Sequence, residues 1–190
     1  VGDYGISKNP ESFASENYRA YFTDKQRGAV LRLSMDGITP ISEYGMSDYF
    51  KDNLKLSKDL VLGTYDGKKG EYNLSLKSKG MLKKPAIINT TLSFNEKVKG
   101  WSSSKSFVPE NGISVSGNYY TMSDGFSYEH HVEQDVDGKK INRNTFYNNY
   151  TESSIEFLLN EAPSVIKSFK TLNYEGSQSN INQSLSTDSS

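Results

Sequence analysis

The chain has 190 residues, a net charge of −1 and a mean hydropathy of −0.68. That length allows one sizeable core or two small ones, while the near-neutral charge argues against a nucleic-acid-binding surface and the lack of cysteine excludes disulfides and thiolate metal sites. Only 34% of residues are hydrophobic, so 13 Tyr, 9 Phe and one Trp must supply much of the buried area. No run of about 18 apolar residues is present to span a membrane.

Residues 1–15, rich in Gly, Ser and Asn and holding Pro10, read as an N-terminal arm. Val1 with no Met before it suggests a processed or excised segment, and no signal peptide is visible. A β domain is expected over 16–175, followed by a flexible polar tail, 176–190, built from Ser, Asn and Gln. The clearest hairpin is 18–42. There Tyr18-Arg19-Ala20-Tyr21-Phe22 alternates, 23–28 turns, and Ala29 to Leu33 returns; a second turn, Met35-Asp36-Gly37, leads into Ile38. Arg27 reads as a turn cation and Arg32 as a strand residue facing solvent between Leu31 and Leu33.

The period then changes. Over 47–56 Tyr49, Phe50 and Leu54 share one helical face, and Ser47 is placed to cap the helix. Three turns of helix cannot stand alone in water, so this one must pack on a sheet or a partner. Strands return at 60–65 and 71–76 around an Asp66–Gly70 turn, and 77–84 reads as a basic linker with four lysines and no acid.

The stretch 87–131 holds Trp101 and reads as an antiparallel meander. Strands are expected at 87–94, 113–115, 119–122 and 126–130, separated by Asn111-Gly112, Gly117-Asn118 and Asp124-Gly125. Gly100 should let the chain bend so that Trp101 turns inward against Phe94, Phe107 or the aromatics of 119–128. Residues 132–144 are polar and centre on an Asp137-Gly138 hairpin tip. Residues 153–159 read as a strand; 164–169 fit a helical turn or a strand, and 164–174 are taken as a strand-like edge.

The hairpin units 18–42, 60–94 and 107–131 recur about every 40 residues, a spacing that suggests propeller blades. Three blades cannot close a ring. The expected class is therefore mainly β, with antiparallel hairpins in a propeller-like or open β-sandwich arrangement and one short helix.

Motifs for chemistry are sparse. His130-His131 with Glu133, Asp135 and Asp137 is the one cluster with metal or acid–base character. Adjacent strand residues point to opposite faces, and the helical His-Glu-x-x-His pattern of zinc hydrolases is absent. Asp135-Val136-Asp137-Gly138 lacks the spacing and terminal Glu of an EF-hand loop. Neither a Gly-x-Ser-x-Gly elbow nor a phosphate-cradling Gly-x-x-x-x-Gly-Lys occurs. No catalytic residue, cofactor or metal site is assigned, and the chain is read as not an enzyme.

Three segments carry a resemblance: NPESFASENYRAYFTDKQRGAVLRLSMDGITPIS (9–42), LSFNEKVKGWSSSKSFVPENG (92–112) and PSVIKSFKTLNYEGSQS (163–179). Together they resemble virion structural proteins of tailed bacteriophages, including the nozzle or muzzle proteins of short-tailed and crAss-like phages. The resemblance implies a place in the tail or neck of a virion and partners among other virion subunits, including copies of itself. It implies no catalytic residue. Two roles follow as expectations: a structural module working through subunit contacts, or a receptor- or glycan-binding β domain. For contacts with a subunit or a glycan the candidates are Trp101, Tyr119, Tyr120 and Tyr128. A hydrolase using His130 and His131 is the third reading.

Overall fold

Between Glu71 and Lys77 every second residue is Tyr or Leu, and the others are Glu, Asn, Ser and Lys. A strand with that alternation has one apolar and one polar face, and both must be covered if it lies centrally. This strand organises the molecule. A computed structural model describes residues 4–6, 8–57, 60–78, 88–155, 163–168 and 170–171, and the chain divides into two units, Val1–Ser153 and Ser154–Ser190.

Among its described residues the first unit holds antiparallel sheets of four, four, three and two strands. One runs in the order β1 (Ala14–Ser15), β2 (Ala20–Asp24), β3 (Ala29–Ser34) and β4 (Gly37–Pro40). The helix α1, Ser47–Leu56, follows. The central sheet is β5 (Leu60–Asp66), β6 (Glu71–Ser78), β7 (Ile88–Asn95) and β8 (Gly100–Lys105). A third sheet orders β9 (Asn111–Val115), β10 (Asn118–Ser123) and β11 (Phe126–Glu129) with β10 in the middle, and β12 (Thr145–Phe146) pairs with β13 (Asn149–Tyr150). The mainly antiparallel β class and the short helix over Ser47–Leu56 follow the sequence. Sheets of four, four, three and two strands are not copies of one blade.

The apolar face of the central sheet makes the core. Tyr72, Leu74, Leu76, Leu92 and Phe94 pack there with Tyr21 and Val30 of the first sheet and Phe50 and Leu54 of α1. Tyr21 stacks on Tyr72 at 4.8 Å, and its hydroxyl donates to Glu96 at 2.9 Å. Arg32 reaches the same carboxylate at 3.0 Å. Arg32 is therefore not solvent-facing as its sequence context suggested. The register pairs it with Tyr21, which puts both on the inward face, and Leu33 is the exposed neighbour at 43%. Arg27 is the expected turn cation, paired with Asp24 at 2.9 Å.

Residues of the expected N-terminal arm join this core: Ser12 is fully buried, and Asn9 donates from Nδ2 to the Val61 carbonyl at 2.8 Å. Close approach here requires a glycine, because a Cβ on Gly63 would lie 1.9 Å from the Ser12 carbonyl oxygen.

Several local readings change. Ser47 is the first residue of α1 and not its cap; Met46 occupies the cap position and offers no side-chain bond. The meander expected over 87–131 is split, with β7 and β8 closing the central sheet and β9 to β11 forming another. β8 was not expected as a strand, since three serines give it little intrinsic preference; its ladder with β7 holds it. Asn111-Gly112 opens β9 and forms no turn. Asp124-Gly125 does turn, both at positive φ, and the Asp137-Gly138 tip is closed by a bridge between Gln134 and Lys140.

Of the unit 154–190, Pro163 and Ser164 form a turn, and no strand occurs among its described residues. Ser153, Ser154 and Ile155 likewise lie outside any strand, while 156–159 of that expected run, and 169 and 172–174 of the expected edge, fall outside the described residues. So do the tail 176–190 and residues 79–84 of the basic linker; Lys77 itself ends up in β6.

Candidate functional site

The other face of the central sheet is lined by hydroxyls and amides, and it too is buried. Thr64, Asn73, Ser75, Thr91 and Ser93 are all at most 2% exposed. Burial of such groups is tolerable only when they bond to one another. Ser75 and Thr91 meet at 2.6 Å, Ser93 donates to Asn73 Oδ1 at 2.6 Å, and Thr91 donates to the Phe107 carbonyl at 2.6 Å. Lys105 lies on the same face, 3.2 Å from Glu71 Oε2 and 3.1 Å from Asn73 Oδ1.

The β9–β11 sheet abuts β5. Tyr119 places its hydroxyl 2.7 Å from Thr64 Oγ1, and Ser114 donates to the Tyr65 carbonyl at 2.7 Å while accepting from the Gly67 amide at 3.0 Å. Beneath Tyr119 sits the aromatic cluster of Phe107, His130, Phe146 and Tyr147. His130 lies 4.9 Å from both Phe107 and Tyr119. Its Nε2 is 2.7 Å from Thr121 Oγ1, which also meets the Tyr147 hydroxyl at 2.7 Å. Burial, with the nearby positive charges of His131 and Lys105, lowers the His130 pKa to about 4, against a smaller opposing pull from Asp66.

His131 takes a different partner. Because β11 ends at Glu129 and His131 adopts a positive φ of 62°, its ring turns toward the fully buried Asp66, and Nε2 sits 2.6 Å from Oδ2. The histidine beside the carboxylate is thus not the one beside the hydroxyl. An acid–histidine–hydroxyl relay is not assembled from these bonds. Among the described residues no group of three His, Asp or Glu is placed to hold a metal ion.

The four aromatic candidates are dispersed. Trp101 does turn inward, against Phe94 at 5.4 Å as expected, but also against Phe50 of α1 at 4.6 Å, and its Nε1 donates to the Ile41 carbonyl at 3.0 Å. A register shift at Ser93/Phe94 accompanies that placement. Tyr119 is buried, which pushes its hydroxyl up to about 12, so it offers no ring face to a ligand. Tyr120 and Tyr128 are half-buried, and Tyr128 lies against Tyr147 at 4.7 Å.

Two surfaces went unnoticed in the sequence. A cleft of about 540 Å³ opens along β5 between the segments 11–15 and 110–114, with Phe13, Tyr65, Glu11 and Glu110 in its walls. The outward face of the β9–β11 sheet carries Ile113 (52% exposed) and Val115 (49%), with Tyr120 paired to Ile113 and Met122 beside it. The apolar alternation in Ile113 and Val115 was a visible signal, but not its direction.

No curated protein matches the chain. Residues 141–189 match the family model described as the Crassvirus muzzle protein C-terminal domain. The matched stretch begins beside the β12–β13 hairpin, whose Tyr147 is bonded to Thr121 of β10. No helix among the described residues is long and apolar enough to cross a membrane. The match supports a tailed-phage, muzzle-like structural protein located in the virion tail or muzzle.

Proposed function

We propose that the chain acts as a virion structural module through subunit–subunit contacts, without catalytic turnover. One observation carries the reading: the outward face of the β9–β11 sheet leaves Ile113 and Val115 about half exposed beside Tyr120, an aromatic type enriched at interfaces. The outer edge of β8 supports it, since no strand among the described residues pairs with it and an unpaired strand edge is a template for pairing with another chain. Copies of this chain and other virion subunits are the partners it would meet. The test is Ile113→Lys with Val115→Lys, followed by light scattering and particle incorporation. Loss of association with an unchanged melting temperature is expected; undiminished assembly would overturn the reading.

A receptor- or glycan-binding role rests on Tyr120 and Tyr128, which like Trp101 are half-buried. Glycan binding lost in Tyr128→Ala, with assembly intact, would favour that role.

A further inference from the structure

On the polar face of the central sheet, β6 contributes Glu71 and Asn73, and β8 contributes Lys105 across the intervening β7. The Lys105 ammonium touches the Asn73 carbonyl oxygen at 3.1 Å and the Glu71 carboxylate at 3.2 Å. An ion pair alone would explain the lysine and the glutamate. It does not explain Asn73, which is fully buried and whose Nδ2 has the Tyr119 hydroxyl beside it but makes no hydrogen bond of good geometry. A buried amide nitrogen left unpaired is costly, and such groups call for a specific account.

The arrangement has what amide exchange needs. The nucleophilic nitrogen is held against the electrophilic amide, a carboxylate contacts that nitrogen, and the amide oxygen already accepts from Ser93 Oγ at 2.6 Å. A donor on that oxygen stabilises the charge it gains during attack. The nitrogen that must leave is the one the fold holds least, with no hydrogen bond of good geometry.

We propose that Lys105 and Asn73 form an intramolecular isopeptide bond, with Glu71 as the proton carrier. Glu71 takes a proton from the Lys105 ammonium, and the freed lone pair attacks Asn73 Cγ. The Cγ–Nζ bond forms while the oxygen is held by Ser93; the Cγ–Nδ2 bond then breaks. Of the three ammonium protons, one stays on the new amide. The other two pass through Glu71 to Nδ2, which departs as ammonium, leaving Glu71 a carboxylate as before. No oxidant or reductant takes part. The product ties β6 to β8 over β7 in a chain that has no cysteine with which to do so.

The test is intact-mass and peptide mass spectrometry of the purified full chain after incubation at neutral pH. The bond lowers the mass by one ammonia, about 17 Da, and yields a branched peptide joining the segments around 73 and 105. Succinimide formation at Asn111-Gly112 would also release ammonia, so the measurement is repeated in Asn111→Ala. The deficit is expected to persist there and to vanish in Lys105→Arg and Glu71→Gln, variants that preserve the cation and the side-chain shape respectively. A full mass with only linear peptides in the wild-type chain overturns the proposal, as does a deficit that survives Lys105→Arg. The wild-type branched peptide decides the matter even if a variant fails to fold.

Discussion

Acid should destabilise this protein through His130 before Asp24 responds. The ring is buried among Phe107, Tyr119 and Phe146, and its Nε2 is engaged by Thr121. Its pKa is lowered to about 4 in the folded chain, against about 6.5 in an unfolded one. The unfolded chain therefore binds a proton that the folded chain refuses between those values. Stability is fully present above about pH 6.5 and falls as pH drops toward 4. Linkage puts the loss at about 2 kcal/mol by pH 5 and about 3 kcal/mol near pH 4.

Asp24, whose pKa is lowered by hydrogen bonds from Arg27 and Gly5 that outweigh its burial, loses its contribution only at more acidic pH. The two effects thus separate on the pH axis. Urea denaturation at a series of pH values, with the wild type compared with His130→Gln, isolates the histidine. The difference between the two curves should change by about 2 kcal/mol between roughly pH 7.5 and pH 5. Parallel curves, or a His130 proton resonance titrating near 6.5, would refute the reasoning.

Gly63→Ala should destabilise by roughly 1–3 kcal/mol or more, because the new methyl meets the Ser12 backbone and not a mobile side chain; an unchanged urea midpoint would contradict the close approach. Trp101→Ala should cost about 3 kcal/mol, at the low end for a tryptophan because the ring is only half-buried. If its melting temperature is unchanged while binding to cells or sugar is lost, Trp101 is a contact residue. Tyr147→Phe removes the hydroxyl that meets Thr121 and should cost about 1 kcal/mol in denaturant.

Strands with apolar–polar alternation were legible, and so was α1, because Phe50 and Leu54 repeat at helical spacing. β8 was not, since Trp101-Ser102-Ser103-Ser104 has no alternation and is fixed by pairing with residues ten or so positions earlier. Arg32 and Leu33 misled for a related reason: side-chain chemistry predicts the outward face, while register with Tyr21 decides it. For the site, inward packing of Trp101 was readable, but its helix partner was not. Lys105, Glu71 and Asn73 meet across a middle strand at separations of 34 and 32 positions, and no local pattern announces that.

The buried hydroxyl layer also bears on how a chain with few apolar residues specifies one register. Shifting β6 by a single residue would carry Asn73 and Ser75 into the aromatic core and drive Tyr72 and Leu74 against Thr91 and Ser93. In a sheet buried by hydrocarbon on both faces, such a slip would cost only packing. Here it would strand several hydrogen-bonding groups away from water, each at about 1–3 kcal/mol. The polar face adds little net stabilisation when satisfied, yet it penalises every wrong alignment heavily. Its bonds to Tyr119 and to the Phe107 carbonyl extend that discrimination to the placement of the neighbouring residues. A module read as working by contact needs such a fixed frame, because its outward residues Ile113 and Val115 are positioned by the same strand that Ser114 ties to β5.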